Sequence, residues 1–188
     1  MAEHIILLAG PMGAGKTTAI RSLSEIEVVS TEAANSDRET VDKETTTVAL
    51  DYGEITIGDE DKVRLYGLPG QKRFDFMWQI LRERAVGLLL LIKGDAPDAL
   101  EQTENFLVEF GDMHSRGGIV IGLTHLDQPG CPSVAEFADR VQRVKDNALI
   151  PIFTVDARDG FQMQTCLVSL VANVEMFAML HGKEEEVA

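Results

Sequence analysis

Ile5-Ile6-Leu7-Leu8-Ala9-Gly10-Pro11-Met12-Gly13-Ala14-Gly15-Lys16-Thr17-Thr18 is the stretch that decides the fold. Its first five residues form a short apolar run, which reads as a buried strand. Gly10 to Thr17 fits G-x-x-x-x-G-K-[ST], and Lys16–Leu23 reads as a helix opening behind that turn. Strand, glycine-rich turn and helix in this order make a phosphate loop. The glycines let backbone N–H groups curl around a phosphate, and the helix N-terminus adds partial positive charge. Nucleotide-binding positions are therefore expected at Gly10, Met12, Gly13, Ala14, Gly15, Lys16, Thr17 and Thr18. Lys16 is expected to reach the β- and γ-phosphates, and Thr17 to place its hydroxyl on Mg²⁺.

Outward from that stretch, short apolar runs alternate with helix-like segments. Glu27–Glu44 is polar and without period, and is expected as a mobile loop. Thr46–Ile57 and Val63–Leu68 flank Gly58-Asp59-Glu60-Asp61, a hairpin signal because Gly and Asp tolerate the positive φ of tight turns. Pro69-Gly70 ends the second strand; Phe74–Arg84 is expected as a short helix and Ala85–Ile92 as a strand buried on both faces. Pro97–His114 carries apolar Leu100, Phe106, Leu107 and Phe110, and is expected as one helix opened by Pro97. Gly118–Leu123 and Ile150–Val155 read as strands, with Val134–Lys145 a helix between them. The last helix repeats Phe161, Leu167, Val168, Val171, Val174 and Ala178 at helical spacing. Apart from the hairpin, strands alternate with helices, so the fold class is α/β with a mostly parallel sheet and helices on both faces. A single domain is expected over residues 1–181, with an acidic tail over 182–188.

The 188 residues carry 17 Lys+Arg against 31 Asp+Glu, a formal charge of −14. Gripping nucleic acid takes clustered cations, so no nucleic-acid partner is expected. Anionic lipid is disfavoured for the same reason. A nucleotide phosphate is different, because local amides and one Lys outvote the global charge. Cys131 and Cys166 have no paired spacing and no neighbouring His, and read as small apolar residues in a reducing compartment. The apolar run after Met1 stops at Gly10, Ala2 excludes myristoylation, and Glu186-Val187-Ala188 carries no prenylation motif. Ala85–Ile92, read as the longest apolar stretch, falls short of the roughly 20 residues a spanning helix needs. The expected location is cytoplasmic, without a direct membrane anchor.

Three later segments bear on which nucleotide is bound. Leu65-Tyr66-Gly67-Leu68-Pro69-Gly70-Gln71-Lys72-Arg73-Phe74 resembles the D-x-x-G-Q-x-R-F switch II element of Ras-like small GTPases. There a glycine amide senses the γ-phosphate and the next Gln orients the attacking water, roles the resemblance gives to Gly70 and Gln71. Gly67 stands where that family carries the Asp that holds Mg²⁺ through water. Lys43-Glu44-Thr45-Thr46-Thr47-Val48-Ala49-Leu50-Asp51-Tyr52-Gly53 is similar to the switch I threonine and its following strand. Counting back from Asp51 favours Thr47 for Mg²⁺ and γ-phosphate, with Thr46 the rival, although Thr runs also suit plain strands. Thr124-His125-Leu126-Asp127 stands where small GTPases carry N-K-x-D. Asp127 would accept hydrogen bonds from guanine N1 and N2, groups adenine does not present. Thr124 and His125 replace Asn and Lys, and T-x-x-D also suits a helix cap. Asp156-Ala157-Arg158 resembles the S-A-K loop whose backbone touches the guanine oxygen.

Over nearly the whole chain, this order of motifs resembles the bacterial Ras-like GTPases of the Mgl type and their conservon relatives. The resemblance implies a P-loop NTPase with a Ras-like six-stranded, mostly parallel sheet and one antiparallel edge strand. It implies GTP/GDP and Mg²⁺, a roadblock/LC7-type regulator or other GTPase-activating partner, and a downstream effector in signalling or cell polarity and motility. Lys16, Thr47 and Gln71 would then carry catalysis, with Thr17 and Thr47 on the metal. Met12 stands where many small GTPases have Gly, and its side chain would crowd Gln71 or an incoming arginine finger, a group typically worth ~10³–10⁵ in rate. Arg38 and Arg73 are internal candidates for that charge, although a solvated surface role is the preferred reading for each. Phe74, Phe76, Met77 and Trp78 read either as core or as a partner surface. The expected function is a guanine-nucleotide switch with slow, partner-stimulated hydrolysis. Two alternatives stand beside it. A P-loop ATP-dependent kinase or ATPase is allowed by the phosphate loop alone, although no Arg-rich segment follows the central helices as a kinase lid. A non-hydrolysing pseudo-GTPase is allowed by Gly67 and Met12.

Overall fold

The computed structural model describes residues 3–30, 50–57, 61–69, 75–144 and 149–181. Along the chain run β1 (Glu3–Ala9), α1 (Lys16–Leu23), β2 (Val29–Ser30), β3 (Asp51–Ile57), β4 (Asp61–Gly67), α2 (Asp75–Arg84) and β5 (Ala85–Lys93). Then follow α3 (Ala99–Glu109), α4 (Gly111–His114), β6 (Ile119–Thr124), α5 (Val134–Val144), β7 (Ile152–Thr154) and α6 (Gly160–His181). The strands form one sheet in the order β2-β3-β4-β1-β5-β6-β7. From β4 to β7 every pairing is parallel, whereas β3 runs antiparallel to both β4 and β2.

The period-two alternation of a strand explains the layers. On β1, Leu7 and Ala9 enter one apolar cluster while Ile6 and Leu8 enter the other. On β5, Leu88, Leu90 and Ile92 join Leu7, while Leu89 and Leu91 join Ile6. Leu107 of α3, Phe137 of α5 and, half-buried, Leu81 of α2 cover the first face. Ile20 of α1 and Met163, Cys166, Leu167 and Leu170 of α6 cover the second. The unbroken run of β5 is thus buried from both sides, as its sequence predicts.

Neighbouring strands β1 and β4 therefore send their following helices to opposite faces. In an open α/β sheet that reversal opens a crevice at the carboxyl ends of the strands, where ligands bind. The loop after β1 is the glycine-rich Gly10–Gly15, which places the phosphate loop there.

Four expectations are corrected. Among the described residues the sheet has seven strands, not six, and the antiparallel β3 is not at the edge, because Val29 and Ser30 pair outside it with Tyr52 and Asp51. Two residues are too few to give a strand period in sequence, so only the pairing shows β2. The helix expected over Pro97–His114 breaks at Phe110 (φ −99°, ψ 26°), a turn that buries both Phe110 and Met113 completely. On α6, Phe161 and Val168 are exposed at 78% and 58%, since Met163, Cys166, Leu167 and Leu170 form the buried stripe instead. Finally, Gly160–Leu180, with a mean hydropathy of 1.5, is long and apolar enough to cross a membrane by length and composition. Scattered single polar residues hide that length from a search for unbroken apolar runs. One face of α6 nevertheless lies in the core, and Asn173 Nδ2 ties it to the Gly117 carbonyl at 2.7 Å. Both cysteines are free thiols, Cys166 buried and Cys131 half-buried. Residues 182–188 lie outside the described residues.

Candidate nucleotide-binding site

The phosphate loop owes its course to its first glycine. Gly10 has φ +141°, and a Cβ there would stand 2.0 Å from the Leu91 carbonyl oxygen of β5. Only a residue without a side chain leaves the sheet at this point. Gly15, in the left-handed region at φ 95°, caps α1. Its side-chain-free cap leaves the first-turn N–H groups of α1 without a side-chain acceptor, the arrangement that suits an anion. Met12 points outward at 74% exposure, and Thr18 is half-buried on α1.

Lys16 folds back over this loop. Its Nζ donates to the Gly10 and Pro11 carbonyls, both at 2.8 Å. Burial pushes the ammonium down to about 8, against the attraction of the Asp51 carboxylate. A cation so placed has little water to lose before it meets a phosphate.

Thr17, one residue on, donates its hydroxyl to Asp51 Oδ2. The other oxygen, Oδ1, accepts from Ser30 Oγ at 2.7 Å. Asp51 opens β3 directly opposite Gly67, the last residue of β4. Neither Asp51 nor Ser30 was expected at the site. A signal for Asp51 existed in the hairpin: pairing Ile57 with Asp61 and counting outward brings Asp51 to Gly67. Among the described residues no group of three or more His, Cys, Asp or Glu side chains could hold a metal by itself. The donors that fit Mg²⁺ are a hydroxyl and a carboxylate beside the phosphates, the sparse oxygen set this ion takes.

The base end is built by two loops. Thr124, wholly inside at the end of β6, donates its hydroxyl toward Ala14 O at 3.2 Å and Ile92 O at 3.3 Å. It thus ties the phosphate loop to β5. His125 follows with φ 58°, a left-handed turn unusual for a residue with a side chain, and is exposed. Asp127 is exposed and accepts from Gln128 Nε2 at 3.3 Å. In the second loop Arg158 chelates Asp156, with Nε on Oδ1 at 2.9 Å and Nη2 on Oδ2 at 2.7 Å. The guanidinium beside it holds the Asp156 carboxyl down at about 2. Ala157 is buried, and a Cβ on Gly15 would lie 2.9 Å from its own Cβ, so this loop rests on the phosphate loop. The Asp127 charge reaches Arg158, which places the two loops side by side.

The structure thus brings together Gly10 to Thr18, Thr124 to Asp127 and Asp156 to Arg158 at one end of the sheet. Thr46, Thr47, Arg38, Gly70, Gln71, Lys72, Arg73 and Phe74 lie outside the described residues.

Residues 26–109 match a family model. Its description reads "Conserved hypothetical ATP binding protein". The matched span, less than half of the chain, runs from just after α1 through α3 and leaves out the phosphate loop itself. The chain is also similar to an uncharacterised protein of the archaeon Methanocaldococcus jannaschii, at 35% identity over 78 residues. That match covers 42% of this chain, which spans 43% of the relative's length.

The expected membership among Mgl-type and conservon-type GTPases is corrected by these matches, which point to an ATP-binding family and an archaeal protein. The physical reason lies in what the motifs encode. A phosphate loop binds the part common to all nucleoside triphosphates and carries no information on the base. The base-end motif departs from N-K-x-D at two of its three defined positions, Thr124 and His125. What stands is an α/β protein compatible with the P-loop NTPase fold, of which residues 26–109 resemble a family described as ATP-binding.

Proposed function

We infer that this chain binds a nucleoside triphosphate with Mg²⁺ over Gly10–Thr17 and slowly hydrolyses it, with ATP as the nucleotide. The observation that carries the reading is Lys16, half-buried and folded over a glycine loop at the head of α1. The ATP-binding family match supports adenine. In this reading Lys16 leaves the Gly10 and Pro11 carbonyls for the β- and γ-phosphate oxygens, trading two neutral acceptors for charged ones. Thr17 turns its hydroxyl oxygen to the metal, and loop amides hold the β-phosphate. A water attacks the γ-phosphorus as the bond to the bridging oxygen breaks. Mg²⁺, when bound, draws off charge that builds on the phosphate oxygens. Positive charge from a partner would accelerate the step, as arginine fingers do elsewhere. Free thiols suit a reducing cytoplasm as the place of work.

A guanine reading has one observation in its favour: Asp127, exposed beside the Asp156–Arg158 loop, leaves its carboxylate open to a base. Calorimetry in Mg²⁺ with ATP, ADP, GTP and GDP decides between them. Tighter adenine binding supports the proposal. Guanine preference that is lost in Asp127→Ala replaces it with the second reading. Binding of neither set sinks both.

A further inference from the structure

Gly67 is buried at the end of β4. The position has no room for a side chain. A Cβ on Gly67 would lie 2.9 Å from Ile20 Cδ1, 3.1 Å from Asp51 Cβ and 3.3 Å from Asp51 Oδ2. The space is taken by the side chain of Asp51, which reaches across from the neighbouring strand in register with Gly67. Asp51 is already linked to the phosphate loop, since Thr17 donates to its Oδ2. Ser30 of β2 holds the other oxygen at 2.7 Å, which fixes the plane of the carboxylate. Its charge is also felt by Lys16.

The geometry points to Asp51 of β3 as the carboxylate that anchors the nucleotide-bound divalent cation, a place made available by glycine at position 67. The inference rests on the nucleotide reading given above. Mg²⁺ favours hard oxygen donors, and one protein carboxylate with a hydroxyl and phosphates is a set it accepts. Partners that orient such a carboxylate matter almost as much as the ligand itself. Ser30 is that positioning residue. This gives β2 a purpose: its two residues bring Ser30 opposite Asp51.

The test is calorimetry with ADP and GDP in parallel, each in excess Mg²⁺ and in EDTA. Three proteins are compared: the wild type, Asp51→Asn, and the double variant Asp51→Gly/Gly67→Asp. Asn keeps the shape and can still accept from Thr17 through its oxygen, while its amide N–H₂ donates to a Ser30 hydroxyl turned to accept, so the charge goes and both contacts stay. The expected result is a Mg²⁺ enhancement of affinity that falls on the order of tenfold or more in Asp51→Asn. Affinity in EDTA should stay at the wild-type value. The double variant should recover part of the enhancement by placing the carboxylate on β4. An equal Mg²⁺ enhancement in wild type and Asp51→Asn overturns the inference and leaves the nucleotide reading intact. So does an equal loss in Mg²⁺ and in EDTA, which would make Asp51 a structural tie. Failure of the wild type to bind either nucleotide overturns this inference together with the proposed function.

Discussion

Gly10 and Gly130 share a positive φ, +141° and +87°, yet they sit in opposite surroundings. The first is jammed against the Leu91 carbonyl, where a Cβ would stand 2.0 Å away; the second has nothing within 4 Å. The same contrast holds between the phosphate end and the base end of the site. Around Lys16, groups are buried or half-buried and bonded to residues far away in sequence: Thr17 to Asp51, and Ala14 to Thr124 across 110 positions. Around Asp127 and Arg158, side chains are exposed and bonded to near neighbours, Gln128 and Asp156. In the proposed reading, the rigid end tied by long-range contacts would hold the phosphates that every nucleotide shares. The exposed, locally bonded end would face the base, and it is where short motifs mislead most easily.

The contrast breaks most sharply by substituting the two glycines. Gly10→Ala combines a disfavoured backbone, costing about 1–3 kcal/mol, with a backbone clash, and should lower thermal stability severely or prevent folding. Gly130→Ala carries only the conformational cost of about 1–2 kcal/mol. Equal melting temperatures would refute the rigid-end description.

Next in size is Lys16→Met, which removes a charged donor and should weaken triphosphate binding about tenfold to a hundredfold, by calorimetry. The pH dependence has a fixed sign. Folded Lys16 has its pKa lowered to about 8 from 10.5, so between these values the unfolded chain binds the extra proton. The stability of the nucleotide-free protein, relative to Lys16→Met, should therefore rise with pH across that window, while phosphate affinity should fall as pH passes about 8. Denaturant titrations at several pH values check the first, and binding isotherms the second.

Thr124→Val sharpens the link between the two ends. It strips the hydroxyl from buried acceptors Ala14 O and Ile92 O, at a cost of about 1–3 kcal/mol, and should loosen the phosphate loop as read by amide exchange. The smallest effect is expected at Asp127→Ala. As an exposed substitution it should leave stability within about 0.5 kcal/mol, so any change in ATP-against-GTP preference reports on the base alone.

Local pattern made much of the fold legible. The apolar run at Ile5–Ala9, the glycine turn and the helix after it are each encoded by neighbours, and they stand where they were expected. The doubly buried β5 was readable from its unbroken Leu run. Elements held by distant contacts were less so. Phe110 breaks a helix because the core takes both it and Met113, and the buried face of α6 is settled by the sheet it meets. The family reading failed for a related cause. Motifs of three or four residues describe chemistry common to many nucleotide binders.

The sequence by itself determined a phosphate-loop motif, because eight consecutive residues carry both the glycine turn and the cation. Only the tertiary structure decided what surrounds that loop. Asp51 meets Gly67 through strand register, Ser30 meets Asp51 through a two-residue strand, and Thr124 meets Ala14 through the order of strands in the sheet. Register and strand order are fixed by the packing of the whole sheet between its two apolar faces, and no local stretch of sequence contains them.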